Sequence, residues 1–330
     1  MDQIPQPLLT RTISLLQRSE HPLLIAHPRP DGDTIGSTLA LRLALLELGK
    51  QPTVACVDPL PGNLDYLPGA EAFVSEVPED ADIDLVVAID MSDLKRTGGI
   101  YKPSWAGRVP LLVIDHHETN AAFGDVNLVM PQAAATAIPM MTVIEALGAS
   151  ITPDIATCLL VGVLTDTRGL RTTTTTPHVL NVVSKLIEAG GDYQRIMQRT
   201  LDAVPYRQMR AWGVALSRLK LEGKIGWTDI PVEAKERLGI LDHDDLNLGN
   251  LLSHLAEAEI VAAFIEMRDG TVKVSMRARP GYSVSEVAYA LGGGGHRQAA
   301  GCTLEGPLER IVPLVLSRLH QAANDRDPGC

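Results

Sequence analysis

The chain is poor in cysteine and has no long apolar run. Its 330 residues include four scattered cysteines, Cys56, Cys158, Cys302 and Cys330, and no two have the spacing of a zinc motif. We expect no disulfide framework, which favours a reducing compartment, the cytoplasm. The apolar runs are far shorter than the roughly 20 residues of a membrane span. Because the N-terminal residues also lack the layout of a signal peptide, no membrane segment is expected.

Basic and aromatic residues are also scarce, which argues against binding to long nucleic acids. The chain has 40 acidic and 29 basic residues, a net charge of −11, and only three Trp, six Tyr and three Phe. A protein that follows a long nucleic acid usually carries a basic stripe that neutralises phosphates. Small anions remain open as ligands, provided that metals or local arginines supply positive charge.

Apolar segments with the periodicity of strands and helices alternate in the first half. Strands are predicted over residues 23–26, 53–57, 84–89 and 109–114, and helices over 7–19, 34–48, 133–148 and from 153 to about 166. Strands that alternate with helices form parallel sheets with right-handed crossovers. The sequence therefore predicts an α/β fold whose N-terminal domain is a doubly wound, mostly parallel sheet.

Acidic residues and histidines follow these predicted strands. The residues that share this position are His27, Asp31, Asp33, Asp90, Asp115, His116 and His117, and Asp166 ends an apolar helix. Ligands of such sheets bind beyond the carboxyl ends of the strands, so we expect these side chains to meet at one edge. Ordinary alternatives exist: Asp31 and Asp33 also suit a turn or an N-cap, and the Asp-His-His run also suits a solvated loop.

Two divalent cations would resolve the electrostatics of this edge. Five carboxylates cannot all stay ionised and uncompensated at one place, because they repel one another. A mixture of imidazoles and carboxylates suits a metal between hard and borderline, so Mn²⁺ fits better than Ca²⁺. No cysteine lies among these residues, which argues against structural zinc.

The second half has a different pattern, with a glycine run as its main feature. Predicted strands cover 225–230, 260–266 and 272–278, and predicted helices cover most of 178–220 as well as 242–257, 284–291 and 308–322. Four glycines, 292–295, then precede His296. They are either a flexible helix stop or a place where backbone amides approach a phosphate or carboxylate. We predict a domain over 1–190, a helical linker over 191–220, a smaller α/β domain with a mixed sheet over 221–330, and an active site in the cleft between the domains.

Taken together, these motifs resemble those of the DHH phosphoesterase superfamily. The matching residues are His27-x-x-x-Asp31-x-Asp33, Asp90, Asp115-His116-His117 and Asp166. In the second half, Gly293-Gly294-Gly295-His296-x-x-Ala299-Ala300-Gly301 resembles the signature of the domain that accompanies DHH domains, which also occurs in relatives of alanyl-tRNA synthetase. The resemblance covers roughly residues 10–322. One departure is the segment 133–136, Ala-Ala-Ala-Thr, which has fewer hydroxyls than the family usually carries there.

The resemblance implies roles for individual residues. One metal, usually manganese, would be held by His27, Asp31 and Asp90, and a second by Asp33, Asp90, His116 and Asp166, with Asp90 bridging. Asp115 would orient His116, and His117 would face the substrate phosphate, so that Asp90, Asp115 and His117 form the catalytic set. The implied substrate-binding residues are Arg277, Arg279, Gly293, Gly294, Gly295, His296 and Gly301. Arginine suits this role because its planar fork binds phosphate oxygens in pairs, although the two arginines also suit the solvated face of an edge strand.

In size, the chain resembles the branch of nanoRNases that also dephosphorylate 3′-phosphoadenosine-5′-phosphate. The expected function is Mn-dependent hydrolysis of short oligoribonucleotides, of that bisphosphate, or of both, by a water that two metals activate. The expected partners are these small substrates, with no long nucleic acid and no membrane, and a homodimer is left open. Two alternatives remain: a soluble phosphodiesterase for cyclic di-AMP or linear dinucleotides, and a catalytically silent nucleotide-binding regulator.

Overall fold

The chain divides into two units between residues 203 and 204. A computed structural model describes residues 4–242 and 246–324. The N-terminal unit is Met1–Ala203 and the C-terminal unit is Val204–Cys330. Among the described residues, each unit contains a sheet of six strands. The bounds of the predicted linker, 191–220, stay a prediction.

The N-terminal sheet is parallel throughout. Its strands are β1 (Pro22–Ile25), β2 (Thr53–Ala55), β3 (Phe73–Val74), β4 (Leu85–Ile89), β5 (Leu111–Asp115) and β6 (Val126–Val129). They lie in the order β3-β2-β1-β4-β5-β6, and each adjacent pair is parallel. This is the order of a doubly wound sheet, in which the direction of winding reverses between β1 and β4. The predicted fold class is confirmed, although the short edge strands β3 and β6 were not predicted.

The helices of this unit lie mainly at its two ends in sequence. They are α1 (Gln6–Arg18), α2 (Gly32–Glu47), α3 (Ala137–Leu147), α4 (Pro153–Asp166), α5 (Pro177–Glu188) and α6 (Tyr193–Ile196), followed by a π-helical turn over Met197–Leu201. Only α2 and α3 directly follow a strand, β1 and β6 respectively. Side-chain oxygens of Asp31, Thr152 and Thr176 cap the N-termini of α2, α4 and α5, which explains where these helices begin. Helix α3 begins four residues later than predicted, because the backbone at its start binds a buried carboxylate, as described below.

Both faces of this sheet are buried, which explains the continuous apolar runs of its strands. Helices α1 to α5 pack on the face that carries Leu24 and Val87. Loops and 3-10 helices cover the opposite face, where Trp105 packs against Val86 and Val113. The carboxyl edge of the sheet, beyond β1, β4 and β5, is therefore held in place from both sides.

Helices α2 and α4 approach each other at glycines. A Cβ atom on Gly36 would lie 2.2 Å from the carbonyl oxygen of Cys158, and one on Gly162 would lie 2.6 Å from Oδ1 of Asp33. Since real side chains do not tolerate such distances, only glycine allows this crossing. The close contact brings Asp166, the last residue of α4, towards the first turn of α2, which carries Asp33.

The C-terminal sheet is mixed, as predicted. Its strands are β7 (Lys220–Glu222), β8 (Ile225–Ile230), β9 (Ile260–Glu266), β10 (Thr271–Ala278), β11 (Gly294–His296) and β12 (Ala299–Glu305), in the order β11-β12-β10-β9-β8-β7. Only the pair β8–β9 is parallel. The helices are α7 (Tyr206–Ser217), α8 (Val232–Leu238), α9 (Leu248–Leu252), α10 (Ser285–Ala290) and α11 (Leu308–Asn324).

The helices cover the two faces of this sheet unequally. Helices α10 and α11 pack on one face, against Val274 and Met276 among others. Helices α7, α8 and α9 pack on the other face, where they cover Val261 and Ala263 of β9. The side chains of β10 and β12 that point towards this second face do not join its apolar core, and they line the groove described below.

One prediction for this unit was wrong and one strand was not predicted. Of the helix predicted over 242–257, residues 243–245 lie outside the described residues, and in the rest only Leu248–Leu252 is helical. No strand was predicted in the glycine run, but Gly294–His296 form strand β11, paired with Ala299–Gly301. Glycine has a low strand propensity, so only the partner strand reveals this element. None of the helices among the described residues combines the length and apolar character that crossing a membrane requires.

Candidate active site

The polar residues predicted from the strand ends meet at the carboxyl edge of the N-terminal sheet. Their oxygen and nitrogen atoms form three overlapping groups, and within each group the atoms lie within 4.8 Å of one another. The groups are His27, Asp31 and Asp90; Asp33, His116 and Asp166; and Asp90, His116 and His117. Asp90 and His116 each belong to two groups, so the groups form one continuous centre at the β1–β4 reversal, where doubly wound sheets bind ligands.

Asp90 lies at the middle of this centre in a strained conformation. It follows β4, its side chain is buried, and its φ is +60°, a left-handed value that costs a residue other than glycine roughly 1–3 kcal/mol. Its Oδ2 lies 3.5 Å from Nε2 of His27, and its Oδ1 lies 3.6 Å from Nε2 of His116. The two oxygens of one carboxylate thus face the two histidines expected at different metals.

His27 and Asp31 are fixed by the loop between β1 and α2. The Nδ1 of His27 lies 2.9 Å from the carbonyl oxygen of Pro28, and its Nε2 lies 3.6 Å from Oδ2 of Asp31. Oδ1 of Asp31 accepts hydrogen bonds from the backbone N–H groups of Asp33 and Thr34, each 3.1 Å long. Asp31 is therefore the N-cap of α2 and also a neighbour of His27. The two interpretations of Asp31 from the sequence, a helix cap and a residue of the site, are both correct.

Thr136 connects two of the carboxylates and was missed by the sequence reasoning. Its backbone N–H donates to Oδ2 of Asp33 over 2.6 Å, and its hydroxyl donates to Oδ1 of Asp90 over 2.9 Å. The N–H of Ala137 donates to Oδ1 of Asp33 over 3.0 Å. Asp33 is fully buried, and these bonds satisfy it. In the sequence, the one indication of this role is that Thr136 is a single hydroxyl residue between three alanines and an apolar helix.

The carboxylate of Asp115 contacts the ring of His117 and not the ring of His116, contrary to expectation, and at His116 it meets the backbone N–H. Its Oδ1 lies 2.7 Å from Nδ1 of His117, while its Oδ2 accepts from the side-chain amide of Asn120 over 2.6 Å. The Nδ1 of His116 lies 3.1 Å from the carbonyl oxygen of Ala133 instead. Extended chain explains the difference, because residues two apart point to the same side, whereas neighbours point to opposite sides. Asn120 is a second residue that sequence reasoning missed.

The centre is built to hold positive charge. Burial alone would lower the pKa of His27, but its contacts with Asp31 and Asp90 raise that pKa to about 10. Burial likewise opposes the protonation of His116, and the carboxylate of Asp166, 3.2 Å from its Nε2, leads the contacts that raise its pKa to about 10. Carboxylate oxygens and imidazole nitrogens in close groups are also the ligands of divalent metals between hard and borderline, so this set of residues fits such ions.

The C-terminal unit contains a groove of its own, with a volume of about 590 Å³. In the strand register, Ser275 of β10 lies opposite Gly301 of β12, which lies opposite Gly294 of β11. This row of small residues forms the floor. Arg277 lines one side of the groove and Lys273 the other, two residues from Ser275 in each direction.

The predicted substrate-binding glycines differ in what the fold requires of them. A Cβ on Gly293 would lie 2.2 Å from the carbonyl oxygen of Gly301, and a Cβ on Gly301 would lie 2.7 Å from that of Val274. Gly295 has a φ of +135°. At Gly294 the nearest atom to such a Cβ is 3.6 Å away, an ordinary contact with Tyr289, and φ is not positive. Strand packing therefore demands three of these glycines, but it does not demand Gly294, whose missing side chain leaves room in the groove.

The other predicted residues of this unit are not equivalent. Arg277 lies in the groove, where its Nε donates to Oδ1 of Asn250 over 3.0 Å. Arg279 lies beyond the end of β10, donates to the carbonyl oxygen of Leu255 over 3.2 Å, and is not part of the groove lining. His296 is exposed on the edge strand β11, opposite Ala299, and does not line the groove either.

Comparisons with known proteins agree with this architecture. Residues 23–163 match the model of the DHH family, N-terminal domain, and residues 241–325 match that of the DHHA1 domain. The chain belongs to the DHH family, as the sequence motifs predicted. This is a family of phosphoesterases that use divalent metals, and the chain is accordingly an enzyme that hydrolyses phosphoester bonds.

Individual relatives extend over nearly the whole chain. It is 36% identical over 314 residues to the bifunctional oligoribonuclease and PAP phosphatase NrnA of Thermus thermophilus, covering 93% of both chains. It is 25% identical over 313 residues to the protein of the same name from Mycoplasma genitalium, covering 90% of this chain and 92% of the relative. An exopolyphosphatase-related protein from Bacteroides fragilis has the same fold, with a TM-score of 0.86 at 21% identity over 98% of this chain and 97% of the other.

Proposed function

We propose that this enzyme hydrolyses short oligoribonucleotides and 3′-phosphoadenosine-5′-phosphate with the help of two divalent ions, Mn²⁺ in the first place. The names of the Thermus and Mycoplasma relatives support this substrate class. The observation that carries the proposal is the position of Asp90, whose two carboxylate oxygens face His27 and His116 of two neighbouring donor groups. One shared carboxylate between two such groups is what a pair of metals requires.

The proposed ligands follow from the three donor groups. One ion would be held by His27, Asp31 and Asp90, and the other by Asp33, Asp90, His116 and Asp166. When bound, such a pair lowers the pKa of an attacking water and neutralises charge on the phosphoryl oxygens. Manganese is preferred because the set mixes imidazole with carboxylate and contains no thiolate. Thr136 keeps the carboxylates of Asp33 and Asp90 at a fixed separation.

His117 has a different task in this proposal. The hydrogen bond to the carboxylate of Asp115 raises the pKa of His117 and so favours the protonated ring. Because its Nδ1 proton is donated to Asp115, the Nε2–H of this partly exposed ring can face the substrate. There it can bind a phosphoryl oxygen and donate a proton to the leaving oxygen. Asn120 keeps the Asp115 carboxylate in position for this role.

In the C-terminal unit, Arg277 would bind a phosphate of the substrate. Its Nε is held by Asn250, which fixes the plane of the guanidinium. A planar guanidinium in a fixed orientation binds phosphate oxygens in pairs. Gly294 would allow the substrate to approach the backbone of β11. The small groove and the net charge of −11 disfavour long strands, which need many phosphates neutralised at once.

The test is a substrate panel on the purified full chain, with Asp90→Asn as the control that removes the shared carboxylate. The panel contains oligoribonucleotides of increasing length, 3′-phosphoadenosine-5′-phosphate, cyclic di-AMP and its linear dinucleotide, each assayed with Mn²⁺, Mg²⁺, Zn²⁺ and Ca²⁺ after chelation. We expect the highest kcat/KM on the shortest oligoribonucleotides and on the bisphosphate, in Mn²⁺. A preference for cyclic di-AMP would favour the phosphodiesterase alternative, and inactivity on all substrates would favour the regulator. The cytoplasmic location and the homodimer stay predictions.

A further inference from the structure

The groove of the C-terminal unit has two walls. Arg277, the proposed phosphate ligand, lies on one wall, and Lys273 lies on the other. On β10, the side chains of Lys273, Ser275 and Arg277 point to the same face, because Val274 and Met276 between them point into the core. Lys273 pairs with Thr303 of β12 in the strand register. Arg277 and Lys273 thus stand on opposite sides of the floor at Ser275, with their Cα atoms about 13 Å apart along the strand.

The charge of this groove contrasts with that of the whole chain. Two cations line it, and of the described residues in its lining none is Asp or Glu, although the chain has a net charge of −11. The structure gives Lys273 no ion pair with any described residue, and the hydroxyl of Thr303 beside it likewise has no partner there. A groove with a cation on each wall, a hydroxyl and a glycine floor is suited to an anionic group lying between the walls.

We propose that Lys273 and Thr303 form a binding subsite for the substrate phosphate that is not cleaved, on the wall opposite Arg277. This inference rests on the proposed function, because that function supplies substrates with more than one phosphate. A phosphate that lies on the floor near Gly301 accepts hydrogen bonds from the guanidinium on one side and from the ammonium and the hydroxyl on the other. The flexible lysine acts as a point charge, whereas Arg277, held by Asn250, fixes the orientation.

The subsite predicts a preference for substrates that carry a second phosphate. Adenosine 3′-phosphate keeps the phosphate to be cleaved and lacks the 5′-phosphate of 3′-phosphoadenosine-5′-phosphate. The dinucleotide pApA likewise carries a 5′-phosphate that ApA lacks, while both contain the same phosphodiester to be cleaved. Lys273→Gln removes the charge and keeps most of the side-chain length. Arg268→Gln, at the nearby hairpin turn and outside the groove lining, is the control for the loss of one positive charge; its exposed 3.9 Å ion pair with Glu236 contributes little to stability, so its loss should leave the fold unchanged.

We expect Lys273→Gln to raise KM about tenfold on the substrates with the second phosphate, which corresponds to about 1.4 kcal/mol. Its kcat on these substrates, and its kinetics on the two that lack the 5′-phosphate, should match the wild type, as should all kinetics of Arg268→Gln. The dependence of log kcat/KM on log salt should become shallower for the doubly phosphorylated substrates alone, because one ionic contact that salt screens is lost. A merely structural role of Lys273 would not produce this selectivity.

A binding experiment separates this inference from the proposed function. AMP carries only the phosphate that the subsite would hold, so its affinity for the full chain can be measured by calorimetry in EDTA, where no hydrolysis occurs. Weaker AMP binding by Lys273→Gln, with Arg268→Gln unchanged, supports the subsite even if the wild type proves inactive on nucleotides. Equal AMP affinity of wild type and Lys273→Gln, no AMP binding by the wild type, or an equal loss of kcat/KM on all four substrates would overturn it.

Discussion

The variant Gly294→Ala tests whether Gly294 is required for substrate binding and not for folding. The variant adds one methyl group whose nearest neighbour is 3.6 Å away, at a residue without a positive φ, so β11 should form unchanged. Replacing glycine by alanine at such a compatible position stabilises a protein by about 0.4–1 kcal/mol, because the unfolded chain loses freedom. The melting temperature should therefore rise by roughly 1–4 °C.

The same methyl group should impair substrate binding. Gly294 lies on the groove face of β11, opposite Gly301, so the methyl group projects into the space above the floor. A ligand that contacts the backbone there must retreat by about the radius of a methyl group and loses its hydrogen bonds to the strand. One such bond to a charged phosphate is worth about 1.5–3 kcal/mol, which predicts a KM at least about tenfold higher.

Gly293→Ala is the control, because its methyl group would lie 2.2 Å from a backbone oxygen. We expect this variant to lose about 3 kcal/mol of folding free energy or more, with activity falling through instability. Thermal unfolding and steady-state kinetics on the same preparations distinguish the two effects. An unchanged KM of Gly294→Ala would show that no ligand approaches the backbone at Gly294. A melting temperature as low as that of Gly293→Ala would show that the fold requires glycine at this position.

Four further predictions concern the N-terminal unit. Asp90→Ala should lose both ions in elemental analysis and lower kcat by orders of magnitude, and near-normal activity in Mn²⁺ would contradict its shared role. Thr136→Val, which keeps the backbone N–H but loses the hydroxyl bond to Asp90, should weaken metal binding or activity about 10–100-fold, while Thr136→Ser should stay close to the wild type. Gly36→Ala should lower the free energy of unfolding by roughly 3 kcal/mol because its Cβ would meet the Cys158 oxygen at 2.2 Å, and an unchanged denaturant midpoint would exclude this. Arg168→Gly should raise that free energy by up to about 1 kcal/mol, because Arg168 has a φ of +51°, and a lower midpoint would show that its side chain outweighs the backbone strain.

The sequence predicted the position of the site better than the contacts within it. Buried parallel strands have a continuous apolar pattern, so β1, β4 and β5 and the polar residues after them were predicted within a few positions. The pairing of Asp115 with His117 depends on the direction of successive side chains in a short loop, which composition and spacing do not report. Thr136 and Asn120 act through contacts with chain segments distant in sequence, and no local pattern indicates them.

The C-terminal unit was harder to predict for a related reason. A glycine run has no intrinsic preference for a strand, and β11 forms because β12 provides its hydrogen bonds. The helix predicted over 242–257 has apolar residues at helical spacing, but Gly249 lies so close to Ser275 that a Cβ there would be 2.8 Å from its hydroxyl oxygen. Tertiary contact with β10 thus fixes the short α9, and local propensity does not.

The glycine crossing of α2 and α4 has a consequence for reading natural variation in this enzyme. Gly36 lies three residues after Asp33, next to the proposed metal ligands, yet its requirement is steric: the carbonyl oxygen of Cys158 on the neighbouring helix lies 2.2 Å from where its Cβ would be. A Gly36 variant from a laboratory selection would therefore lie beside the candidate active site but behave as a temperature-sensitive folding variant. Compensating changes should arise on α4 around Cys158, and a screen for suppressors at raised temperature should recover them there and not among the proposed metal ligands.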